Sequence, residues 1–367
     1  MTSLYIHIPF CKSKCLFCSF VIAVGKEHRI DVYLEALERE AKLHRGAKIE
    51  TVYVGGGTPT HMDTAQLRRF IALIKENFKI DADAEFTVEA NPEDIDAEKA
   101  GFLLEAGINR VSLGVQSLND KYLSFLGRGH NKEKAIEAFE NLRATGFSNI
   151  NLDLMFSFPG QTLKELEEDV RAITTLESDH LSLYSLTIEE GSRLYRQDMQ
   201  LDHGDKRAEE YRRVVELLGE NGFHQYEISN FAKPGRESRH NRLYWESGNY
   251  IGLGIGAHSH KDGERFWNTS NLMDYLERMK HGKSPIDGRE ILEAEKRFKE
   301  TLLFGLRMNE GIEVSLLERR FGVVLPVATK EKIEEFLKEG FLLKDNGCLR
   351  ATPKGRLLLD EICAHLI

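Results

Sequence analysis

From residue 4 to about residue 231, short runs of β-branched and apolar residues alternate with longer amphipathic runs, and no other feature restricts the folds open to this chain so strongly. A strand followed repeatedly by a crossover helix builds a parallel sheet with helices packed on it, an α/β architecture. The predicted strands cover 4–8, 51–54, 85–89, 110–115, 150–156, 181–186 and, with a weaker pattern, 224–229. Helical runs at 32–44, 65–77, 132–145, 163–176 and 206–221 place apolar residues three and four apart. Six or seven such units fall short of the eight that close a full barrel, so the expectation is an open or partial (β/α)6-type barrel with its site at the C-terminal strand ends. The polar positions agree: Cys11, the glycines Gly55, Gly56 and Gly57, Glu89 and Gln116 each stand at or just past the end of a predicted strand, and Asp153 stands within one.

After Phe231 the pattern breaks. A Gly-, Asn- and His-rich stretch at 233–268 precedes a second helical region, with runs at 295–306, 314–321 and 330–339, a short hairpin around Asn346-Gly347, and a final helix. Three helices, a hairpin and a helix resemble a winged-helix module. The expected organisation is a barrel at 1–232, a connecting segment at 233–289 and a small, mainly helical winged-helix-like domain at 290–367.

The net charge of -9 argues against nucleic acid as a partner, and the Lys and Arg residues of the C-terminal module are interleaved with Glu rather than gathered in a stripe. No stretch approaches the roughly 20 apolar residues of a membrane-spanning helix, and the N-terminus lacks the order of a signal peptide. A cytoplasmic protein is the expectation.

Five cysteines form an odd set, with Cys11, Cys15 and Cys18 packed close together and Cys348 and Cys363 far away. That pattern suits metal binding in a reducing compartment better than disulfides, and the two distant cysteines read as buried or incidental thiols. The trio follows the first predicted strand in a loop able to wrap one face of a [4Fe-4S] cluster. Three thiolates leave one iron open, the mark of a reactive site. A structural zinc site is the alternative, but it needs four ligands, and neither His7 nor His28 has a matching spacing.

The triplet resembles that of radical S-adenosylmethionine enzymes. The lead-in Tyr5-Ile6-His7-Ile8-Pro9-Phe10-Cys11, Phe17 before Cys18, and the run Gly55-Gly56-Gly57-Thr58-Pro59-Thr60 are similar to the oxygen-independent coproporphyrinogen III oxidase branch. The resemblance covers nearly the whole chain and implies a partial radical S-adenosylmethionine barrel. It also implies that the open iron chelates S-adenosyl-L-methionine, whose cleavage by a reduced cluster yields a 5'-deoxyadenosyl radical. Matched to the family one position at a time, Tyr5, Phe17, Gly56, Gly57, Thr58, Glu89, Gln116, Arg128 and Asp153 become the expected contacts to that cofactor. Phe17 suits the adenine face, and Glu89 is a carboxylate for polar groups.

Two departures separate this chain from the decarboxylating oxidase: Cys18 is followed by Ser19-Phe20 where the oxidase pattern has a further cysteine, and Tyr5 stands almost at the start. Instead the chain carries His240-Asn241-Arg242-Leu243-Tyr244-Trp245, which resembles the HNxxYW signature of a haem-chaperone branch. The resemblance implies haem as cargo, held by His240, Asn241, Tyr244 and Trp245, since imidazole ligates haem iron and aromatic rings offer it flat apolar surface. It further implies target haemoproteins, some membrane-associated, that would bring the chain to a membrane only through the target, and an electron donor for the cluster. Haem transfer is preferred to the coproporphyrinogen reaction, and whether the chain is also an enzyme stays open. His258 and His260 read as either a second ligand or loop residues, with the loop favoured. The closely spaced Gly252, Gly254 and Gly256 do not fit a dinucleotide-binding fingerprint.

Overall fold

The computed structural model describes residues 2–197, 199–202 and 204–366. Six parallel strands follow one another in both chain order and sheet order: β1 (Thr2–Ile8), β2 (Lys48–Gly56), β3 (Lys79–Ala90), β4 (Arg110–Gln116), β5 (Ile150–Phe156) and β6 (His180–Ser185). The expected α/β partial barrel is the observed fold, and the strands fall where the apolar runs place them.

The strands alternate strictly. Leu4, Ile6 and Ile8 of β1, Val52 and Val54 of β2, Phe86 and Val88 of β3, Val111 and Leu113 of β4, and their counterparts on β5 and β6 share one apolar core with the outer helices. Successive strand residues face opposite ways, so the positions between them line the barrel, and apart from Met155 they are polar or glycine. Ser3 and Thr51 hydroxyls lie 2.5 Å apart, Asn151 Nδ2 donates to Ser112 Oγ at 2.7 Å, and His180 Nδ1 meets Asn151 Oδ1 at 2.6 Å. A closed eight-stranded barrel fills its interior with layers of branched apolar side chains; this one is hydrogen-bonded inside, which suits a container for polar ligands.

The expected seventh strand at 224–229 is corrected. It divides into β7 (His224–Gln225) and β8 (Asn230–Ala232), and β8 runs antiparallel to β6, ending the βα repeat. A seventh parallel strand does exist, but at the other edge: β9 (Asn249–Leu253) pairs with β1 and is followed by antiparallel β10 (His258–Lys261), β11 (Glu264–Asn268) and β12 (Ile286–Ile291). The sequence reading leaves this region without strands because glycines and charged residues conceal them. Gly252 sits in β9 because a Cβ there would run into the His258 carbonyl of the adjoining strand.

Residues 298–366 contribute to a separate apolar cluster containing Phe298, Leu302, Leu306, Leu342 and Leu349, with Cys363 packed beside it. Its helices and its sheet, β13 (Ile312–Glu313), β14 (Leu342–Asp345) and β15 (Cys348–Ala351), are tied to the barrel edge. Arg242 grips Glu310 with both terminal nitrogens (3.1 and 2.9 Å), and Arg356 donates to Gln225 Oε1 at 2.7 Å.

The Arg239–Trp245 helix enters the barrel and is held there by Glu85 of β3. That carboxylate accepts the backbone N–H groups of Arg239 and His240, both at 3.0 Å, and the Ser238 hydroxyl at 3.3 Å. Glu85→Ala leaves these buried donors unpaired, and the expected cost is about 3 kcal/mol of stability, read from the shift in urea midpoint against the parent. An unchanged midpoint would show that the helix is held by packing alone.

Candidate cluster and cofactor site

Past β1 the chain forms a loop whose base is a two-residue parallel pairing of Phe10–Cys11 with Ala23–Val24. Leu16 and Phe17, inside the loop, pack against Tyr122, Leu126, Met155 and Phe158. The Leu16 N–H donates to the Leu126 carbonyl at 2.9 Å, and the Leu16 carbonyl accepts the Leu194 N–H at 3.0 Å. Apolar anchoring and backbone hydrogen bonds thus hold the three cysteines against the strand ends.

The trio opens into a cavity of about 470 Å³ whose wall also contains Phe17, Gly56, Gly57 and Thr58. Glu89, Gln116, Arg128 and Asp153 complete the set, so eight of the nine positions matched to the cofactor converge on one space. Tyr5 is the exception. It stacks on Tyr53, ring centres 6.3 Å apart, and its hydroxyl lies 3.0 Å from His7 Nδ1. His7 Nε2 donates to the Val21 carbonyl at 2.7 Å, so Tyr5 braces the cysteine loop from behind instead of lining the cavity.

A polar chain connects two of the cysteines to the glycine run. Arg128 Nη1 lies 3.3 Å from Cys15 Sγ, and Nη2 donates to Asn91 Oδ1 and to the Gly114 carbonyl, both at 2.7 Å. Asn91 Nδ2 donates to Thr58 Oγ1 at 2.9 Å, and Thr58 Oγ1 stands 3.4 Å from Cys11 Sγ. Burial pushes the Cys11 thiol up to about 11 and raises Cys18 as well, and each is further raised by the neighbouring thiols. Three crowded thiolates need compensating positive charge, which the irons of a cluster supply. Among the described residues no three His, Cys, Asp or Glu side chains converge tightly enough to hold a single ion. A cluster asks for less convergence, because each thiolate binds a different iron.

The glycine run makes room for the protein's own groups. A Cβ on Gly55 would stand 2.7 Å from the Glu89 carboxylate, one on Gly56 2.6 Å from the His7 ring, and one on Gly57 2.7 Å from the Pro9 backbone; Gly56 also has φ +113°. The space so created lets Glu89 accept the Tyr53 hydroxyl at 2.8 Å and the Gly56 N–H at 3.1 Å. Burial, reinforced by Asp153, lifts Glu89 to about 7. Asp153 is itself raised by burial while it accepts Asn151 Nδ2 at 2.7 Å and Ser112 Oγ at 3.0 Å. Gln116, at the end of β4, is a non-glycine residue at φ +69°, an uncommon backbone conformation that turns its side chain at the cavity wall.

A second cavity, of about 910 Å³, lies between the barrel edge and the C-terminal helices, and Tyr184 lines both. Asn241, Tyr244 and Trp245 are on its wall, but His240 is not. The His240 ring is fully buried, with Nδ1 2.8 Å from Thr51 Oγ1 and Nε2 2.9 Å from the Tyr244 hydroxyl. Burial lowers its pKa to about 3, so the ring is neutral. Both nitrogens are engaged, and as placed His240 supports Tyr244 and offers nothing to iron. His258 and His260, favoured above as loop residues, lie instead on β10, two apart and therefore on one face, at the cavity wall.

Sequence reasoning passed over Tyr53, Asn91 and Ser112 in the first cavity; of the second it named Asn241, Tyr244 and Trp245 and left His258 and His260 between ligand and loop. The strict polar–apolar alternation of the strands marks Tyr53 and Ser112 as inward-facing. Beyond that motif nothing local marks the second cavity, whose other walls come from segments far apart in the chain.

Comparison with known proteins agrees with this geometry. The description "Radical SAM superfamily" matches residues 5–173 and "HemN C-terminal domain" residues 292–358. The chain is 36% identical to "Heme chaperone HemW" of Bacillus subtilis (strain 168), covering 99% of this chain and 98% of that protein. It is 32% identical to "Radical S-adenosyl methionine domain-containing protein 1, mitochondrial" of Danio rerio, covering 100% and 86%. Among solved structures, coproporphyrinogen III oxidase (HemN) from Escherichia coli, described as a radical SAM enzyme, superposes with a TM-score of 0.89 at 26% identity, covering 100% of this chain and 89% of that one. Likeness of this extent, from the cysteine loop through to the C-terminal helices, makes the chain a member of the radical SAM superfamily and, within it, of the HemW heme chaperone family.

Proposed function

We propose that the protein is a haem chaperone that holds a [4Fe-4S] cluster on Cys11, Cys15 and Cys18, binds S-adenosylmethionine in the adjoining cavity, and carries haem for delivery to target haemoproteins. The observation that carries the reading is the second cavity: about 910 Å³, lined by aromatic and cationic side chains, with Tyr184 common to it and the cluster cavity. Its size falls in the range of sites for large cofactors, and Asn241, Tyr244 and Trp245 of the HNxxYW motif face it. When bound, cluster and S-adenosylmethionine together supply one-electron chemistry, for which an external reductant serves as donor. The chain's own contribution is placement. Arg128, Thr58 and the glycine run position the metal loop, while Glu89, Gln116 and Asp153 offer polar contacts. Among the described residues no helix is long and apolar enough to cross a membrane, which fits delivery by docking to a target.

The test is made on anaerobically reconstituted full-length protein. Titration with haemin is expected to give a saturable Soret change, and incubation with coproporphyrinogen III, S-adenosylmethionine and reductant is expected to give no protoporphyrinogen. A second reading, oxygen-independent coproporphyrinogen III oxidation, is favoured by the structural likeness to the Escherichia coli oxidase over the whole chain. Protoporphyrinogen in the second assay would establish it in place of the first.

A further inference from the structure

His260 on the wall of the second cavity has an unmet bond. It is 8% exposed, and its Nδ1 lies 3.0 Å from the Gly248 carbonyl oxygen. A carbonyl can only accept, so Nδ1 carries a proton, and in the neutral ring Nε2 keeps its lone pair. That Nε2 is buried and has no hydrogen-bond partner among the described residues. A desolvated acceptor left unpaired is costly, and buried polar atoms without partners ask for a ligand. Neutral imidazole with one N–H fixed on a backbone carbonyl is also the arrangement that holds the other nitrogen ready for a metal. His240, with both nitrogens engaged, lacks this property.

The same cavity has two spare cations. Arg265 is paired with Glu290 and Glu300, and Arg307 with Asp360. Among the described residues Arg297 and Arg320 have no carboxylate partner; their guanidinium groups lie over the Phe321 ring, 5.2 and 5.0 Å from its centre. Arg320 is exposed and Arg297 half-buried, so this pair stands toward the rim, while Trp245 and Phe304 pack edge to face at 5.9 Å. A ligand with a flat apolar body, a central metal and two carboxylates at one edge satisfies all three features: unpaired nitrogen, aromatic wall and paired arginines.

We propose that haem occupies this cavity with its iron on His260 Nε2 and its two propionates on Arg297 and Arg320. The assignment rests on the haem-chaperone reading and specifies which side chains hold the cargo.

The experiment is a haemin titration of the reconstituted full chain, followed by Soret absorbance and by EPR of the ferric iron. The parent, His260→Met and the double variant Arg297→Glu with Arg320→Glu are compared, with iron and sulfide content as a check that the cluster domain is intact. His260→Met keeps volume but exchanges a nitrogen ligand for sulfur, so a changed Soret position and EPR signature are expected. His260→Gly, to which added imidazole restores the parent spectrum, gives the same answer by rescue. The arginine variant is expected to bind haemin roughly tenfold or more weakly with the nitrogen signature retained. Parental spectra in both His260 variants would overturn the proposal, as would loss of the nitrogen signature in His258→Ala or His240→Phe while His260→Met keeps it. A parent that takes up no haemin would instead refute the chaperone reading itself.

Discussion

Alanine in place of any one of Cys11, Cys15 or Cys18 is expected to remove essentially all cluster iron and sulfide while leaving the chain folded. The two effects separate because the loop and the core are built from different residues. Leu4, Ile6 and Ile8 of β1 are fully buried in the main core, whereas the three cysteines are only half-buried and contribute no core contact. The loop keeps its anchors in Leu16 and Phe17, so removing one sulfur costs at most about 1 kcal/mol of stability. The cluster has no such reserve. On the proposed ligation each thiolate holds a different iron, so loss of one leaves two bonds where the site already lacks a fourth. Chemical analysis for iron and sulfide reads the result, and S-adenosylmethionine should no longer perturb any residual EPR signal. Full iron content in even one variant would disprove the assignment of the ligand trio.

Glu89→Ala should lower affinity for S-adenosylmethionine by about 100-fold, equivalent to about 3 kcal/mol, with cluster content unchanged. The carboxylate accepts both the Tyr53 hydroxyl and the Gly56 N–H, so it orders the glycine loop and also lines the cavity. Glu89→Gln keeps the shape without the charge and makes a distinct pH prediction. Glu89 is lifted to about 7, so in the ligand-free protein at pH 6 it is mostly protonated and at pH 8 mostly ionised. A cationic ligand binds the ionised form, so binding releases a proton below that pKa. Affinity should therefore rise by up to about tenfold per pH unit as the pH climbs toward 7, and level off above it. Calorimetric titration of the parent and Glu89→Gln at several pH values makes the comparison. Equal slopes in the two proteins would remove Glu89 from direct contact with the ligand's charge.

How much of the site could be read in advance depends on the distance over which each feature is decided. Cys11, Cys15 and Cys18 share one loop, so their spacing alone shows that they come together. The glycine run was legible as a close approach, but what approaches was not: the bodies that exclude a Cβ are Glu89 and His7, on neighbouring strands. Tyr5 and His240 show the opposite failure. Both belong to recognisable motifs, and packing turns each into a brace, Tyr5 behind the cysteine loop and His240 beneath Tyr244.

By itself the sequence determined the βα repeat, the level of the strand ends and the grouping of three cysteines in one loop, because a period of two along a strand and short spacing in a loop are enforced by local backbone geometry. The tertiary structure alone decided that polar strand faces turn inward, that β9 closes against β1, and that His260 meets Arg297 and Arg320 across a cavity. Those outcomes depend on which distant segments can bury their apolar faces together, and no local stretch of residues contains that information.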